Sequence, residues 1–244
     1  MATTFRQAIN RVLTDLREGD NLVTDGASEL TDEYHIFIAS IVNNMLEEVE
    51  SAHEWWGLHD TLSVTYAASA SSADMDTTTP VEADCRIYRY PCYHSGELLA
   101  DVIDVTDSSD AYRLREMPLR LLVQKQAMST DTQEKPMYFA YEPLSRTNGS
   151  RIRVHPKPNT ERTIQVRIVR PQARLDHTTD LDTIIKAPVR PVVLGAVWYA
   201  LSERGEELGT NLDLARERYM NALSDEVAAD QAATGDERYD LLEV

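Results

Sequence analysis

Apolar residues recur at three- and four-residue spacing in four stretches of the chain, which predicts four amphipathic helices. The first runs from Phe5 to Glu18, and the second and longest from Thr31 to Trp56. The other two lie near the C-terminus, where Pro188 and Pro191 suit a first helical turn and Gly205 suits the end of a helix. Their short connection predicts an antiparallel helical hairpin.

Each of these helices needs an apolar partner, so the pattern predicts one helical bundle made of residues 1–57 and 188–231. The face from Val193 to Val197, with Trp198, is expected to pack against the long second helix. The expected bundle core is Ile38, Ile41, Met45, Val193, Val197 and Trp198.

Between the two parts of the bundle, residues 58–187 show the period-two alternation of strands. Leu62, Val64 and Tyr66 alternate with threonine and serine, and the pair Asn148-Gly149 is a hairpin signal. Several prolines bound the predicted strands, and a short helix is expected from Pro118 to Met128. The predicted fold class is therefore α+β, with a central antiparallel β-sandwich or barrel-like insertion in the bundle.

Charge is unevenly distributed along a chain whose net charge is −17. Residues 1–84 hold 16 acids and 3 bases, residues 203–244 hold 12 acids and 4 bases, and residues 146–174 hold 8 bases and 1 acid. Phosphate neutralisation supplies most of the affinity of proteins for duplex DNA. A chain this acidic is therefore not expected to bind duplex DNA over its whole surface. The segregation of charge favours contacts between parts of the chain or between copies of it.

Arg151, Arg153 and Arg167 fall on predicted strands and are expected to form a basic outer face, which makes them candidates for a subunit interface. Tyrosine and phenylalanine lie near them, so a nucleic-acid-binding module using this basic face is an alternative from another class. Trp55 and Trp56 are predicted to end the long helix. They are interpreted either as core residues at the junction with the strands or as a docking contact with a partner. In the second interpretation, Trp55 is the candidate interface residue.

No pattern of catalytic, metal-binding or cofactor-binding residues stands out, so an enzyme is not expected. The histidines lack a second ligand at metal spacing, and Cys85 and Cys92 lack the spacing of a zinc site. Asp101, Asp104, Asp107 and Asp110 do not follow the alternate spacing of a calcium loop. There is no apolar run after Met1 and none long enough to span a bilayer, so synthesis in a cytoplasm is expected.

The order of several elements resembles the head-to-tail adaptor proteins of tailed bacteriophages, over most of residues 28–230. The C-terminal part of the resemblance is an aliphatic stretch at 183–185, a Pro-x-x-Pro entry, the run Leu-Gly-Ala-Val-Trp-Tyr-Ala at 194–200 and the corner Glu-Arg-Gly-Glu at 203–206. Upstream it includes a helix that ends in Trp-Trp and the strand Pro-Met-Tyr-Phe-Ala-Tyr at 136–141. No single motif is diagnostic, and the order of the elements is the stronger signal.

This resemblance implies a structural virion protein at the head–tail junction. Family members form rings of roughly twelve copies below the portal, with a tail or nozzle protein beneath them and genome DNA passing through the lumen. A tail-completion or nozzle ring of the same virion is the alternative. With DNA in the channel, acidic helix or loop residues are expected to face it, and the three arginines are expected at subunit contacts or outside.

Residues 232–244 have no sustained apolar face and are predicted to form an extended C-terminal arm. Such a short segment does not hold structure alone, and a frayed terminus is one interpretation. The resemblance implies the other, because the C-terminal part of these adaptors engages the portal. The implied portal-binding residues are Tyr239, Leu241, Leu242 and Val244.

Overall fold

The computed structural model describes residues 2–74, 86–91, 98–128, 133–145, 149–204 and 210–235. The chain divides into a helical unit, Met1–Leu58 with Gln172–Val244, and a β unit, His59–Pro171. Helices and mainly antiparallel sheets make the fold α+β, as the sequence predicts. The hydrophobic pattern places the second boundary after residue 187, whereas the chain enters the helical unit already at Gln172, because polar contacts hold residues 172–187 against a helix of that unit.

In the described residues of the helical unit there are four helices: α1 (Phe5–Asp15), α2 (Glu33–Ala52), α4 (Val189–Glu203) and α5 (Thr210–Gly235). One helix, α3 (Leu119–Met128), belongs to the β unit. Short 3-10 turns cover Gly19–Asn21 and Trp56–Leu58.

The helices begin or end at positions that differ from several of the predicted boundaries. The carboxylate of Asp32 accepts the N–H groups of Tyr34 and His35, so α2 begins after Asp32, and it ends at Ala52 because His53 is extended. The predicted helix to Trp56 is therefore too long. The first helix ends at Asp15 instead of Glu18. In the other direction, α5 continues to Gly235, so residues 232–235 are helical and do not belong to an extended arm.

The core of the helical unit lies where α1, α2 and α5 pack against α4. Ile38, Ile41 and Met45 of α2 are buried, as is Val193 of α4, whereas Val197 and Trp198 are only half-buried. The fully buried side of α4 is formed by Val192, Ala196 and Ala200. Trp198 stacks on Tyr219 of α5 at 5.9 Å between ring centroids, so its aromatic partner lies on α5.

Gly195 explains how α4 fits between two neighbours. A Cβ atom built at Gly195 would lie 2.7 Å from the Met45 sulfur on α2 and 3.1 Å from the Tyr219 ring on α5. Both distances are shorter than ordinary van der Waals contact, so a side chain of any size would require the Met45 side chain and the Tyr219 ring to shift. The glycine therefore allows α4 to lie in direct contact with side chains of both helices.

Gly195→Ala is expected to destabilise the protein even though alanine favours helices. The gain in helix propensity is about 1 kcal/mol. The clash in a packed core typically costs about 1–3 kcal/mol, and the Tyr219 ring is held by Trp198 and by a hydrogen bond to Glu48. Urea denaturation followed by circular dichroism measures the difference. Gly19→Ala is the control, because nothing lies within 4 Å of a Cβ at Gly19; a Gly195→Ala protein as stable as that control would contradict the expectation.

The β unit contains two larger sheets. The first has the order β1–β13–β6–β7, formed by His59–Tyr66, Arg162–Val169, Val102–Asp104 and Tyr112–Arg113, and β3 (Arg86–Ile87) also pairs with β13. The second has the order β2–β11–β10–β8, formed by Ser72–Asp74, Gly149–His155, Tyr138–Ser145 and Arg115–Glu116. Two small pairs complete the described strands: β4 (Arg89–Pro91) with β5 (Leu98–Ala100), and β9 (Gln133–Glu134) with β12 (Lys157–Pro158).

The strand registers agree with the alternation in the sequence. Strands β1 and β13 are antiparallel from the pair His59–Val169 to the pair Tyr66–Arg162. Strands β10 and β11 form the antiparallel pair expected around Asn148-Gly149, from Tyr138–His155 to Ser145–Gly149 with an irregularity after Pro143. Asn148 itself lies outside the described residues. The pairs β8–β10 and β9–β12 are parallel.

The two larger sheets enclose one apolar core. Phe139, Ile152 and Val154 of the second sheet share a buried cluster with Ile164, Val166 and Ile168 of the first. The Tyr66 hydroxyl donates to the Ile152 carbonyl at 3.0 Å and thereby links the sheets, and burial raises the pKa of Tyr66. This arrangement follows from period-two alternation, which gives each strand one apolar side.

Candidate functional site

The contacts within the helical unit and the charged side chains of the two sheets are the described features that bear on function. Among them there is no group of three or more histidine, cysteine, aspartate or glutamate residues that could hold a metal ion. In the same part of the chain, no helix combines the length and the apolar character that crossing a bilayer requires.

Asn43 holds the returning chain against α2. Its side-chain amide donates to the Leu175 carbonyl at 2.9 Å, and its side-chain oxygen accepts the Leu175 N–H at 3.0 Å. Asn43 and Leu175 are 5% and 6% exposed, so these two bonds replace water that neither residue can reach. One buried side chain thus satisfies both backbone groups of a residue 132 positions away.

Gln172 and Glu50 secure the same segment at two further points. The Glu50 carboxylate, in a residue that is 4% exposed, accepts the Gln172 N–H at 3.1 Å. The Gln172 side chain in turn donates to the Ile184 carbonyl and accepts the Lys186 N–H. The neighbouring backbone also pairs with the start of the chain, through the bridge between Thr4 and Ile184. Residues 172–187 are therefore a fixed part of the helical unit.

These anchors were missed in the sequence, although a signal existed. Asn43 and Glu50 are seven residues apart on α2, which places both on the apolar side of the helix. A polar residue on the buried side of a helix requires a hydrogen-bonding partner. The sequence does not indicate which backbone groups, more than a hundred residues away, supply that partner.

The C-terminal end of α5 is tied to the end of α2 near the two tryptophans. Asp230 accepts from the ring nitrogen Nε2 of His53 at 3.0 Å when that nitrogen carries the proton, and the Trp56 N–H lies within 3.3 Å of the same carboxylate. Trp55 is 1% exposed and donates its indole N–H to the Val49 carbonyl at 2.7 Å. The Trp55 side chain is therefore buried, and it does not offer the interface contact for which it was a candidate. Trp56 is 39% exposed and is the accessible tryptophan of the pair.

The three candidate interface arginines do not share one face. Arg151 and Arg153 alternate with Ile152 on β11, and Arg167 lies between Val166 and Ile168 on β13. The aliphatic neighbours face the common core, so the arginines lie on the outer sides of two different sheets. Arg153 forms a two-pronged ion pair with Glu142 at 2.8 and 3.2 Å. Arg167 lies over the Tyr88 ring at 5.3 Å. A continuous basic platform for nucleic acid is not formed by these residues.

The two units differ strongly in charge. The helical unit, residues 1–58 and 172–244, contains 26 acids and 10 bases, a balance of −16 (10 − 26). The β unit, residues 59–171, contains 15 acids and 14 bases, a balance of −1 (14 − 15). Nearly all of the net charge of −17 therefore belongs to the helical unit.

Some of the predicted functional residues lie outside the described part of the chain. These are the expected portal-binding residues Tyr239, Leu241, Leu242 and Val244. Gly205, at the predicted corner between α4 and α5, and the cysteines Cys85 and Cys92 also lie outside it.

Comparison with known proteins gives one result that covers nearly the whole chain. The family model described as SU10 adaptor protein matches residues 3–240. No curated protein matches the chain. The matched range includes most of both units and the five helices that the structure describes.

Proposed function

This chain belongs to the SU10 adaptor protein family and is thus a structural adaptor protein of a bacteriophage, and on that premise we propose that it forms the ring that joins the portal to the tail around the DNA channel. The observation that carries the proposal is the family match over residues 3–240. Portal protein above, a tail or nozzle protein below and further copies of the chain are the proposed partners. A tail-completion or nozzle ring is the alternative assembly, and the same experiment separates the two.

The charge of the helical unit supports a role beside DNA. Genome DNA has to slide through the ring without adhering to it, and acidic walls repel phosphates over about one Debye length, roughly 8 Å at physiological salt. A ring of twelve copies would carry −204 (12 × −17). The helical unit, with its balance of −16, is the proposed source of the residues that face the channel.

The outer sides of the two sheets are the proposed location for contacts away from DNA. We propose that Arg151, Arg153 and Arg167 lie at subunit contacts or on the outside of the ring, because a ring of arginines in the lumen would bind the phosphates of the passing genome. The ion pair between Arg153 and Glu142 already neutralises one of these charges, which is consistent with a role in positioning and not in DNA binding.

Residues 236–244 are the proposed portal-binding arm. They follow directly on α5, and their sequence combines Tyr239, Leu241, Leu242 and Val244 with four acids. The apolar side chains would fill pockets on the portal, and the acids would meet basic residues around them. Many arms acting together in one ring would give high total affinity even where each arm binds weakly.

Sedimentation of the purified chain with and without the portal protein of the same phage tests the proposal. We expect the full chain to co-sediment with portal as a ring of defined mass. A variant that ends at Gly235, which keeps all of the described residues of α5, is expected to lose most of this binding while it retains its melting temperature. Circular dichroism provides the control for folding.

The possible results separate the arm, the identity of the partner and the ring as three parts of the proposal. Undiminished portal binding by the shortened, folded chain would remove the arm from the portal contact. Binding of the full chain to a tail protein but not to portal would favour the tail-completion or nozzle ring. Sedimentation as a monomer under all of these conditions would overturn the proposed ring.

A further inference from the structure

We propose that Asp230 is a positioning residue for the portal-binding arm. Its carboxylate fixes the last turns of α5, and with them the point at which residues 236–244 leave the helical unit. This role rests on the proposed function of the arm. Three observations support it: the burial along α5, the side chains near the end of that helix, and the hydrogen bonds of Asp230 to the end of α2.

The burial along α5 shows where the helix stays in contact with the rest of the helical unit. Tyr219 and Ala222 are buried. The following half-buried positions are Leu223, Glu226, Val227 and Asp230. Spacings of three and four residues return to one face of a helix, so these positions form one inward side. Residues 231–233 are exposed, so Asp230 is the last half-buried position of α5 in the described part of the chain.

The large apolar side chains that could anchor α5 end before Asp230. Val227 is the last of them, and residues 228–235 read Ala-Ala-Asp-Gln-Ala-Ala-Thr-Gly. An alanine side chain has little apolar surface to bury, so hydrophobic burial stabilises this part of the helix only weakly. Eight residues with a rise of about 1.5 Å each extend about 12 Å, and helix ends of this kind fray unless a further contact holds them.

The Asp230 carboxylate provides such a contact, with two groups just beyond the end of α2. Its Oδ2 atom accepts from Nε2 of His53 at 3.0 Å when that nitrogen carries the proton, and both side chains are 18% exposed. The backbone N–H of Trp56 lies 3.3 Å from Oδ1 and 3.4 Å from Oδ2. Hydrogen bonds to a charged acceptor are stronger than those between neutral groups. One carboxylate thus joins the end of α5 to a segment more than 170 positions away.

The partner segment is itself held in place. The His53 ring meets the Trp55 ring edge-on, with 4.8 Å between the ring centroids. Trp55 is 1% exposed, and its indole N–H donates to the Val49 carbonyl at 2.7 Å. Asp230 therefore ties α5 to a packed and hydrogen-bonded part of the helical unit.

A fixed helix end gives the arm a defined starting point. The arm begins directly after Gly235, the last residue of α5. In a ring of copies whose helix ends are all fixed, the arms would start from equivalent positions and reach the portal together. If the last turns of α5 fray, each arm samples a larger volume, and its effective concentration at the portal falls. Loss of the Asp230 contacts should therefore weaken portal binding without unfolding the protein.

Hydrogen exchange measures the helix end directly and needs no portal protein. Asp230→Ala is compared with Asp225→Ala, the same change on the same helix. The Asp225 side chain is 66% exposed and lies 3.6 Å from Arg190, so solvent screens that pair. The amides of residues 228–233 are expected to exchange at least about fivefold faster in Asp230→Ala than in the control. Both variants are expected to melt within a few degrees of wild type, because the buried Tyr219 is unchanged.

Substitution of His53 gives an independent measurement of the same contact. His53→Ala removes one of the hydrogen bonds of Asp230, so it is expected to speed exchange at the same amides, by less than Asp230→Ala does. The double variant is expected to exchange no faster than Asp230→Ala alone, because both changes remove one shared interaction. His53→Gln offers an amide N–H in place of the ring N–H and is expected to restore most of the protection.

Co-sedimentation with the portal protein connects the helix end to the arm. We expect Asp230→Ala to weaken portal binding at least about fivefold, and Asp225→Ala to leave it unchanged. In the chain that ends at Gly235, Asp230→Ala is expected to cause no further loss, because no arm remains to be positioned.

The outcomes separate this role of Asp230 from the arm itself. Equal exchange in Asp230→Ala and Asp225→Ala would show that other contacts hold the end of α5, which overturns the role of Asp230 and leaves the arm in place. Faster exchange with undiminished portal binding, or an equal loss of binding in the full and the shortened chain, would also overturn it. Undiminished portal binding by the shortened chain would overturn the arm and the role of Asp230 together.

Discussion

Ala196→Asp is expected to unfold the helical unit, whereas Val197→Asp, one residue later, is expected to leave it folded. Ala196 is 0% exposed on the side of α4 that faces the core. A carboxylate at this position would have neither water nor a hydrogen-bonding partner, and burying it costs several kcal/mol. The whole stability of a domain is about 5–15 kcal/mol, so this cost is enough to unfold it. Val197 is half-buried, so an aspartate there can keep its charge hydrated.

The pair of variants is compared by thermal melting followed at 222 nm by circular dichroism. We expect little or no folded Ala196→Asp protein, and a melting temperature within a few degrees of wild type for Val197→Asp. Equal melting temperatures for the two would mean that the side of α4 facing the core is not the one with Ala196. The hydrophobic pattern by itself assigns Val197 to the core, whereas Val197 is half-buried in the structure. The two melting temperatures therefore also test which of these assignments is correct.

Asn43→Ala is expected to have the second largest effect, although asparagine is polar and the change is small. The substitution leaves both the N–H and the C=O of Leu175 buried without their side-chain partner. An unsatisfied buried polar group costs about 1–3 kcal/mol, so a loss of about 2–6 kcal/mol is expected for the two groups together. Urea denaturation gives the free energy of unfolding.

A neighbouring asparagine provides the matched control. Asn44 is exposed, and its contact is an Arg174 side chain that is itself half-exposed, so Asn44→Ala is expected to change stability by less than about 0.5 kcal/mol. Hydrogen exchange adds a local measurement, since the Leu175 amide should exchange faster in Asn43→Ala than in Asn44→Ala. Equal stabilities of the two variants would show that residues 172–187 are held by other contacts.

The sequence determined the identity and the type of the main elements. Apolar residues that recur every three or four positions predicted α1, α2, α4 and α5, because an amphipathic helix buries one apolar side. Alternation gave β1, β11 and β13, because a strand between core and solvent has one apolar side. The order of these elements was enough to indicate the family that the match over residues 3–240 shows.

The ends of the elements depended on local hydrogen bonds that the hydrophobic pattern does not contain. The apolar spacing of the long helix continues in phase to Trp56, but the helix stops at Ala52. Trp55 then turns inward, where its indole N–H reaches the Val49 carbonyl. An apolar residue in phase with a helix is equally compatible with a turn that buries the same side chain, so the pattern could not separate these cases.

Only the tertiary structure decided how distant residues combine. Arg151 and Arg167 are both basic residues on strands, yet they lie on different sheets, because the aliphatic neighbours of each face a shared core. Asn43 meets Leu175, and Gly195 meets both Met45 and Tyr219, across separations that no local pattern encodes. Periodicity shows that a residue has a buried side; which partner fills that side is a property of packing between elements, and packing exists only once the chain has folded.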